Sequence, residues 1–515
     1  IQRSMRSEVA ETDLKYLIKG GFLNASAPDL AAGFGLVDSD VTFEVSETAL
    51  SIAGAGRFGP APVVFDWKER FHSSGDAGSE LVASAKVTPD LLNAFGVSAR
   101  NVMQGEADVE LRAAGSGRDF TSITANVDFT RSALDIAELG WSKKFDAPAR
   151  GSFRYGKDSS RALLHGDIRA DGLELIGEAI LDPSGALTSA VIERIFSRGN
   201  LDLRGSVRQR DNGGYKLSLS GPFFDASPWM DSFLSMSESE TEAAKPIGGP
   251  AGSSSPPFEI ALNADRLRLR EDAELTRASV TMRIDEGGPI DGHVTGVIAP
   301  GKGVDVRIGS DAGARTVTMR SDDAGFAARV LMKAEYLLGG QLELTARFDG
   351  ADGTAQVTMT DVRLRNAPLL AQILSLASLR GLTDVLNGDG VLFTRIDAPI
   401  KLSAGRIDIP GLRASGPAMG LTARGWIAPA RGELSLDGVL VPSFGVNSAL
   451  GGLPIIGDLF VSRQGEGLFA PTYSVRGTLA RARVSINPIA ALTPGVLRRI
   501  FENPTEAPPA SVEAP

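Results

Sequence analysis

The sequence predicts a mainly β protein, a long meander of antiparallel hairpins with few helices. Three observations predict it: apolar and polar residues alternate with period two in segment after segment, turn residues recur between those segments, and helical periodicity is confined to a few places. Ile123, Ala125, Val127 and Phe129 share one face, while Thr124, Asn126 and Asp128 take the other. The pattern repeats at Val41/Phe43/Val45, Val280/Met282/Ile284, Val304/Val306/Ile308, Leu342/Leu344/Ala346/Phe348, Leu434/Leu436 and Val484/Ile486. Such segments are half-buried strands with one apolar face and one wet face.

Turn chemistry separates them. Asp211-Asn-Gly-Gly, Glu286-Gly-Gly-Pro, Asp322-Asp-Ala-Gly, Asp349-Gly-Ala-Asp-Gly and Ala404-Gly-Arg supply residues that accept positive φ or close a tight reversal. Helical spacing is clearest from Asn366 to Asn387, where Leu369, Leu370, Ile373, Leu374, Leu376, Leu379, Leu382, Val385 and Leu386 recur at three- and four-residue intervals. Asn366 is suited to cap this helix, Pro368 to its first turn, and Asn387-Gly388 to its end. Shorter helices are expected at Pro89–Phe95, Ala190–Ser197, Pro454–Leu459 and Pro494–Phe501.

Domain limits follow from composition. Ser235 to Pro257 has almost nothing to bury and reads as a disordered linker, as does the Pro- and Glu-rich tail 503–515. The segments expected between them are 1–96, 97–234 and 258–502. The chain starts at Ile1 with no initiator Met or apolar leader behind it, so it reads as a portion of something longer. No stretch reaches the ~18 uninterrupted apolar residues that a spanning helix needs.

Composition also excludes functions. A net charge of −10 with both signs mixed argues against nucleic acid, which demands a basic face. The absence of Cys removes disulfides and thiolate metal sites. His72, His165 and His293 lie far apart without metal-ligand spacing. The densest carboxylate set, Asp384, Asp389 and Asp397, sits partly in Gly-flanked turns where Asp serves turn geometry. Gly33-Phe-Gly, Gly54-Ala-Gly and Gly301-Lys-Gly lack the capped helix of a phosphate loop. No catalytic residue, metal or cofactor is expected, and the chain reads as a non-enzyme.

A long sheet with one aliphatic face must cover that face. Hydrophobic residues are 43% of the chain and aromatics only 6%, so the face is mostly aliphatic. In a sandwich two such faces cover each other; alternatively the sheet curls into a trough whose inner face stays open to an apolar ligand. Composition favours the sandwich.

Two stretches carry a resemblance. Val127-Asp-Phe-Thr-Arg-Ser-Ala-Leu-Asp-Ile, Leu139-Gly-Trp-Ser-Lys-Lys, Asn200-Leu-Asp-Leu-Arg-Gly and Gly214-Tyr-Lys-Leu-Ser-Leu-Ser-Gly-Pro are similar to the central region of YhdP-type proteins. Asp437-Gly-Val-Leu-Val-Pro-Ser-Phe-Gly-Val-Asn, Leu453-Pro-Ile-Ile-Gly-Asp-Leu-Phe, Gly465-Glu-Gly-Leu-Phe, Tyr473-Ser-Val-Arg-Gly and Asn487-Pro-Ile-Ala-Ala-Leu-Thr-Pro-Gly resemble the C-terminal region of the AsmA-like family, to which the YhdP-type branch belongs. The resemblance implies a curved antiparallel sheet forming an elongated apolar β-groove. It implies the periplasmic part of an inner-membrane-anchored protein in a Gram-negative envelope. It further implies bridge-like transfer of phospholipid between inner and outer membranes, with an outer-membrane or periplasmic protein as a further partner. The related TamB-type proteins suggest a different role, a scaffold for outer-membrane protein assembly.

On that reading the groove floor consists of Ile123, Val127, Phe129, Val280, Met282, Val304, Val306, Leu342, Leu344, Val357 and Met359. Packing against a covering element explains any one of them equally well. The helix over 366–387 is apolar almost all round, and Leu370, Ile373, Leu374 and Leu379 would face the trough or a partner as a lid.

Overall fold

Alternating segments form strands because only a pleated sheet sorts period-two side chains onto two sides. The computed structural model describes residues 15–31, 33–71, 78–97, 99–117, 119–235, 257–285, 288–311, 313–350, 352–377, 379–403, 405–442, 471–478 and 481–487. Packing divides the chain into two units, one of Ile1–Asp225 with Pro246–Arg266, the other of Ala226–Lys245 with Leu267–Pro515. The 235–257 linker, the 503–515 tail, His72 and the helices expected at 454–459 and 494–501 fall wholly or almost wholly outside the described residues.

The first unit opens with β1 (Leu17–Ala31), β2 (Phe34–Ser46), β3 (Ala49–Phe58), β4 (Ala61–Arg70) and β5 (Ser79–Val87). Helix α1 (Pro89–Ala94) follows, capped by the Thr88 side chain, then β6 (Met103–Gly105), β7 (Ala107–Ser116) and β8 (Asp119–Asp128). β9 (Ser132–Ile136) and β10 (Trp141–Lys143) join β6 in a separate small sheet. The meander resumes with β11 (Ala149–Lys157), β12 (Ala162–Ala170) and β13 (Leu173–Leu181). It continues through β14 (Leu187–Ser197), β15 (Leu201–Gln209) and β16 (Tyr215–Asp225). From β1 to β16 each successive pairing of the main sheet is antiparallel.

The next strand, β17 (Phe258–Arg270), breaks that rule. The Tyr215 N–H donates to the Pro257 carbonyl at 3.0 Å, the Tyr215 and Phe258 rings stack at 6.1 Å, and Arg266 lies 5.1 Å over the Phe223 ring. Starts lie beside starts and ends beside ends, so this part of β17 runs parallel to β16. The sheet is therefore mixed, not purely antiparallel.

The second unit begins with α2 (Ser227–Ser235) and continues through β18 (Ala273–Asp285), β19 (Gly288–Ala299), β20 (Lys302–Asp311) and β21 (Ala314–Ser321). After α3 (Ala324–Met332) come β22 (Leu337–Leu338), β23 (Gln341–Asp349) and β24 (Asp352–Leu364). The helices α4 (Pro368–Leu376) and α5 (Arg380–Asn387) precede β25 (Val391–Ser403), β26 (Arg406–Ser415) and β27 (Met419–Ala428). The unit ends with β28 (Glu433–Pro442), β29 (Thr472–Thr478) and β30 (Arg481–Asn487).

The predicted mainly β class holds: long curved sheet, few short helices, no closed barrel. Among the described residues the strands belong to one 27-stranded and one three-stranded sheet. The bending has a local cause. Asn24, Asp29, Asp38 and Arg277 hold positive φ between 49° and 53° inside strands, with interruptions of register beside them. Such bulges bend a strand and increase its twist.

Two helix expectations need correction. Ala190–Ser197 lies in strand β14. Ile176 pairs with Arg194 and Gly177 with Ile192, so Glu193 is an extra, bulged residue. That bulge puts Ile192 and Ile195 on one face at a helical spacing, which is the source of the error. The 366–387 helix is two helices, Pro368–Leu376 and Arg380–Asn387, and the Leu379 N–H donates to the Leu374 carbonyl at 2.9 Å. Asn366 does not cap it: its φ is +53°, and Ala367 takes the N-cap position without a side-chain bond. Pro368 does stand in the first turn, as expected.

Candidate functional site

Residues directly opposed on neighbouring strands point to the same side of a sheet. In the first unit Phe43 opposes Ile52, which opposes Trp67, then Leu81, Ala113, Ile123, Tyr155 and Leu164 in turn. The row runs on through Ala179, Ala190, Val207 and Leu217. One apolar face thus continues across the meander without changing sides. The other face carries ion pairs: Lys19 with Glu44 at 2.9 Å, Arg169 with Asp167 at 2.9 Å, and Arg194 with Glu174 at 2.8 Å.

The second unit repeats the arrangement. Val280 opposes Val294, which opposes Val306, then Met319, Leu344, Val357 and Ala398. A neighbouring row joins Leu342, Met359, Ile396, Ala414, Leu421 and Leu440. Met282 and Val304 lie on this face too, opposite Gly292 and Gly296. All eight expected floor residues of this unit therefore share one face. In the first unit Ile123 and Val127 share the other apolar face. Phe129 continues it just past β8, where its N–H donates to the Ala149 carbonyl at 2.9 Å.

Cover is uneven. Ile52, Phe65, Leu111 and Ile123 remain half-buried. Val127 and Phe129 are half-buried as well, but they pack on the cluster of Met103, Leu134, Trp141 and Leu173, to which α1 and the small sheet contribute. In the second unit α3 lies against β18, β23 and β24, α5 against β25, and α4 against β30. Val304, Leu342 and Val357 are accordingly only 7%, 4% and 8% exposed, whereas Val306 and Leu344 are half-buried. Leu370, Ile373 and Leu374 of α4 are buried and Leu379 is half-buried between the helices.

Among the described residues no group of three or more His, Asp or Glu is placed to hold a metal. His293 lies 2.9 Å from the Asp305 carboxylate on the wet face. That bond, with Arg307 beside it, holds the Asp305 carboxyl below its usual range. Asp397 is held low in the same way, first by Arg395 and then by Thr358. A depression of about 690 Å³ lies in the first unit, lined by Asp40, Thr42, Asp66, Glu110, Arg112 and Asn126 among others. Those side chains belong to the wet face.

The C-terminal string proves to be structural where it is described. Arg476 grips Asp437 with two 2.8 Å bonds, and Tyr473 donates to the Thr422 carbonyl at 2.7 Å. Burial pushes the Tyr473 phenol up. The parts within 443–470 and 488–502 lie outside the described residues. Sequence reasoning passed over Phe65, Leu111, Phe153, Met319, Ile396 and Val475, all on the apolar faces. Their strand partners place them there. Among the described residues no helix is long and apolar enough to cross a membrane. Comparison with protein-family models, with curated proteins and with solved structures finds no match to this chain.

Proposed function

We propose that this chain shields the acyl chains of lipids along its apolar sheet faces, serving as a conduit for phospholipid between two membranes of a Gram-negative envelope. One observation carries the reading: in each unit the register keeps a single aliphatic face continuous from strand to strand, and part of that face stays half-exposed between ordered side chains. A sheet core is normally sealed, and a persistent apolar surface of this kind marks a binding surface. Burying about ten methylenes contributes roughly 8 kcal/mol, enough to retain a lipid without polar recognition. Repeated aliphatic side chains without a specific pocket suit a ligand that slides. The resemblance to AsmA-like proteins supplies the envelope setting.

The test is mass spectrometry of lipids extracted from the purified chain, alongside Leu111→Asp and Val306→Asp. Phospholipid recovered with the parent protein and lost from the folded variants is the expected result. Equal recovery from all three defeats the proposal. Absence of lipid, together with cross-linking to a β-barrel assembly protein, favours the scaffold reading instead.

A further inference from the structure

Glu69 is the penultimate residue of β4, and the register places it on the apolar face of the first unit. It opposes Leu50 on one side and Ser79 on the other, one alternation beyond the row of Ile52, Trp67 and Leu81. Its chain neighbours Lys68 and Arg70 take the other face, where they pair with Asp66 and Glu80. One Glu69 carboxylate oxygen, Oε2, is buried and has no hydrogen-bond partner. Among the described residues no other buried side-chain nitrogen or oxygen is left so. The donors beside it are engaged elsewhere. Trp67 Nε1 donates to Ser79 Oγ at 3.4 Å, and Ser79 Oγ donates to the Gly117 carbonyl at 2.8 Å. Leu50, Trp67 and Ser79 bring no cation to it. A buried carboxylate oxygen without a donor is costly, and a native site that keeps one calls for a donor from outside.

The row on which Glu69 stands continues through Leu50 to Val45 and Ile18. Leu50 and Val45 are half-buried and Ile18 is 52% exposed, so the apolar strip opens as it leaves the carboxylate. The ligand that fits has a cationic N–H donor joined to a hydrocarbon chain. Hydrogen bonds between a cation and a carboxylate are the strong kind, and an indole on the same face suits an alkylammonium. A quaternary choline carries the charge but has no N–H to give.

We propose that Glu69 receives the primary ammonium of phosphatidylethanolamine, whose acyl chain then lies along the Leu50–Val45–Ile18 strip. The inference rests on the lipid-binding reading and adds a headgroup preference at one margin of the face. The aliphatic rows hold the chain, and the carboxylate selects what is attached to it.

The experiment is uptake by the full chain of pyrene-acyl phosphatidylethanolamine and pyrene-acyl phosphatidylcholine, read by pyrene fluorescence. The two lipids differ only in methylation of the headgroup amine. The parent protein is expected to prefer the ethanolamine lipid about tenfold. Glu69→Gln, which keeps the shape and removes the charge, is expected to bring that ratio to about twofold or less. Equal uptake of both lipids by the parent overturns the headgroup site and leaves the apolar face standing as a lipid surface. No uptake of either overturns both readings. A ratio unchanged in the folded variant removes Glu69 from the recognition; Glu69→Leu serves the same comparison should Glu69→Gln not fold. Glycerophosphoethanolamine, the headgroup without its chains, is expected not to displace the lipid at equal concentration. Displacement would assign the carboxylate to a free amine and overturn the proposal.

Discussion

Tyr473 lies across Gly438, its partner on the neighbouring strand. A Cβ at residue 438 would stand 1.9 Å from the Thr422 carbonyl oxygen and 2.5 Å from the Tyr473 ring and its hydroxyl, which itself bonds that carbonyl two strands away. Glycine here provides clearance and not backbone freedom. Gly438→Ala is expected to lower stability by about 1–3 kcal/mol through overpacking. Tyr473→Phe, which keeps the ring and drops the bond, should lower it by about 1 kcal/mol. Urea unfolding of both variants checks the order; a Phe variant more damaging than the Ala variant contradicts this geometry.

Position along the apolar face should decide what a charge does. Val127 and Leu111 are both half-buried, but Val127 packs on the Met103–Trp141 cluster and Leu111 lies outside it. Val127→Asp sets a carboxylate against the apolar cluster and is expected to cost about 2–3 kcal/mol. Leu111→Asp keeps access to water and should cost about 1–2 kcal/mol. Urea midpoints of the two variants test the ranking, and equal losses would show that Leu111 is covered as well.

Acid should loosen α2. Asp231 bonds Arg270 at 2.7 Å and Lys333 at 2.8 Å, tying α2 to the end of β17 and to the C-cap of α3. These bonds, Arg270 first, hold its pKa down to about 2 from 3.8. A carboxyl depressed on folding contributes stability that is present above pH 3.8 and lost as pH falls toward about 2. The difference in unfolding midpoint between the parent and Asp231→Asn is therefore expected to shrink across that window. A gap independent of pH would mean that the pair adds nothing measurable, as holds for many exposed ion pairs.

Much of the fold is legible in the residues because strand formation depends on a local alternation. Val280/Met282/Ile284 and Leu342/Leu344/Ala346 declare their strands without help from distant segments. The errors lie where a local pattern has two physical sources. Ile192 and Ile195 share a face through a bulge, and a three-residue spacing alone does not separate a bulged strand from a helix turn. The apolar run over 366–387 carries one continuous period, yet it forms two separate helices, Pro368–Leu376 and Arg380–Asn387. The candidate residues were legible by type but not by exposure: Val304 and Val306 read alike in the sequence, yet the first is buried and the second half-buried.

The sequence by itself determined that this chain is mainly β, that its strands have one aliphatic and one charged side, and that no cysteine chemistry is available to it. Those properties follow from side-chain type and a two-residue period, both local. Only the tertiary structure decided that the aliphatic sides join into one face per unit, that β17 runs parallel to β16, and that helices rest on part of that face and not on the rest. Register, strand direction and cover depend on which distant segments meet, and a one-residue slip at any bulge would send a strand's apolar side to water.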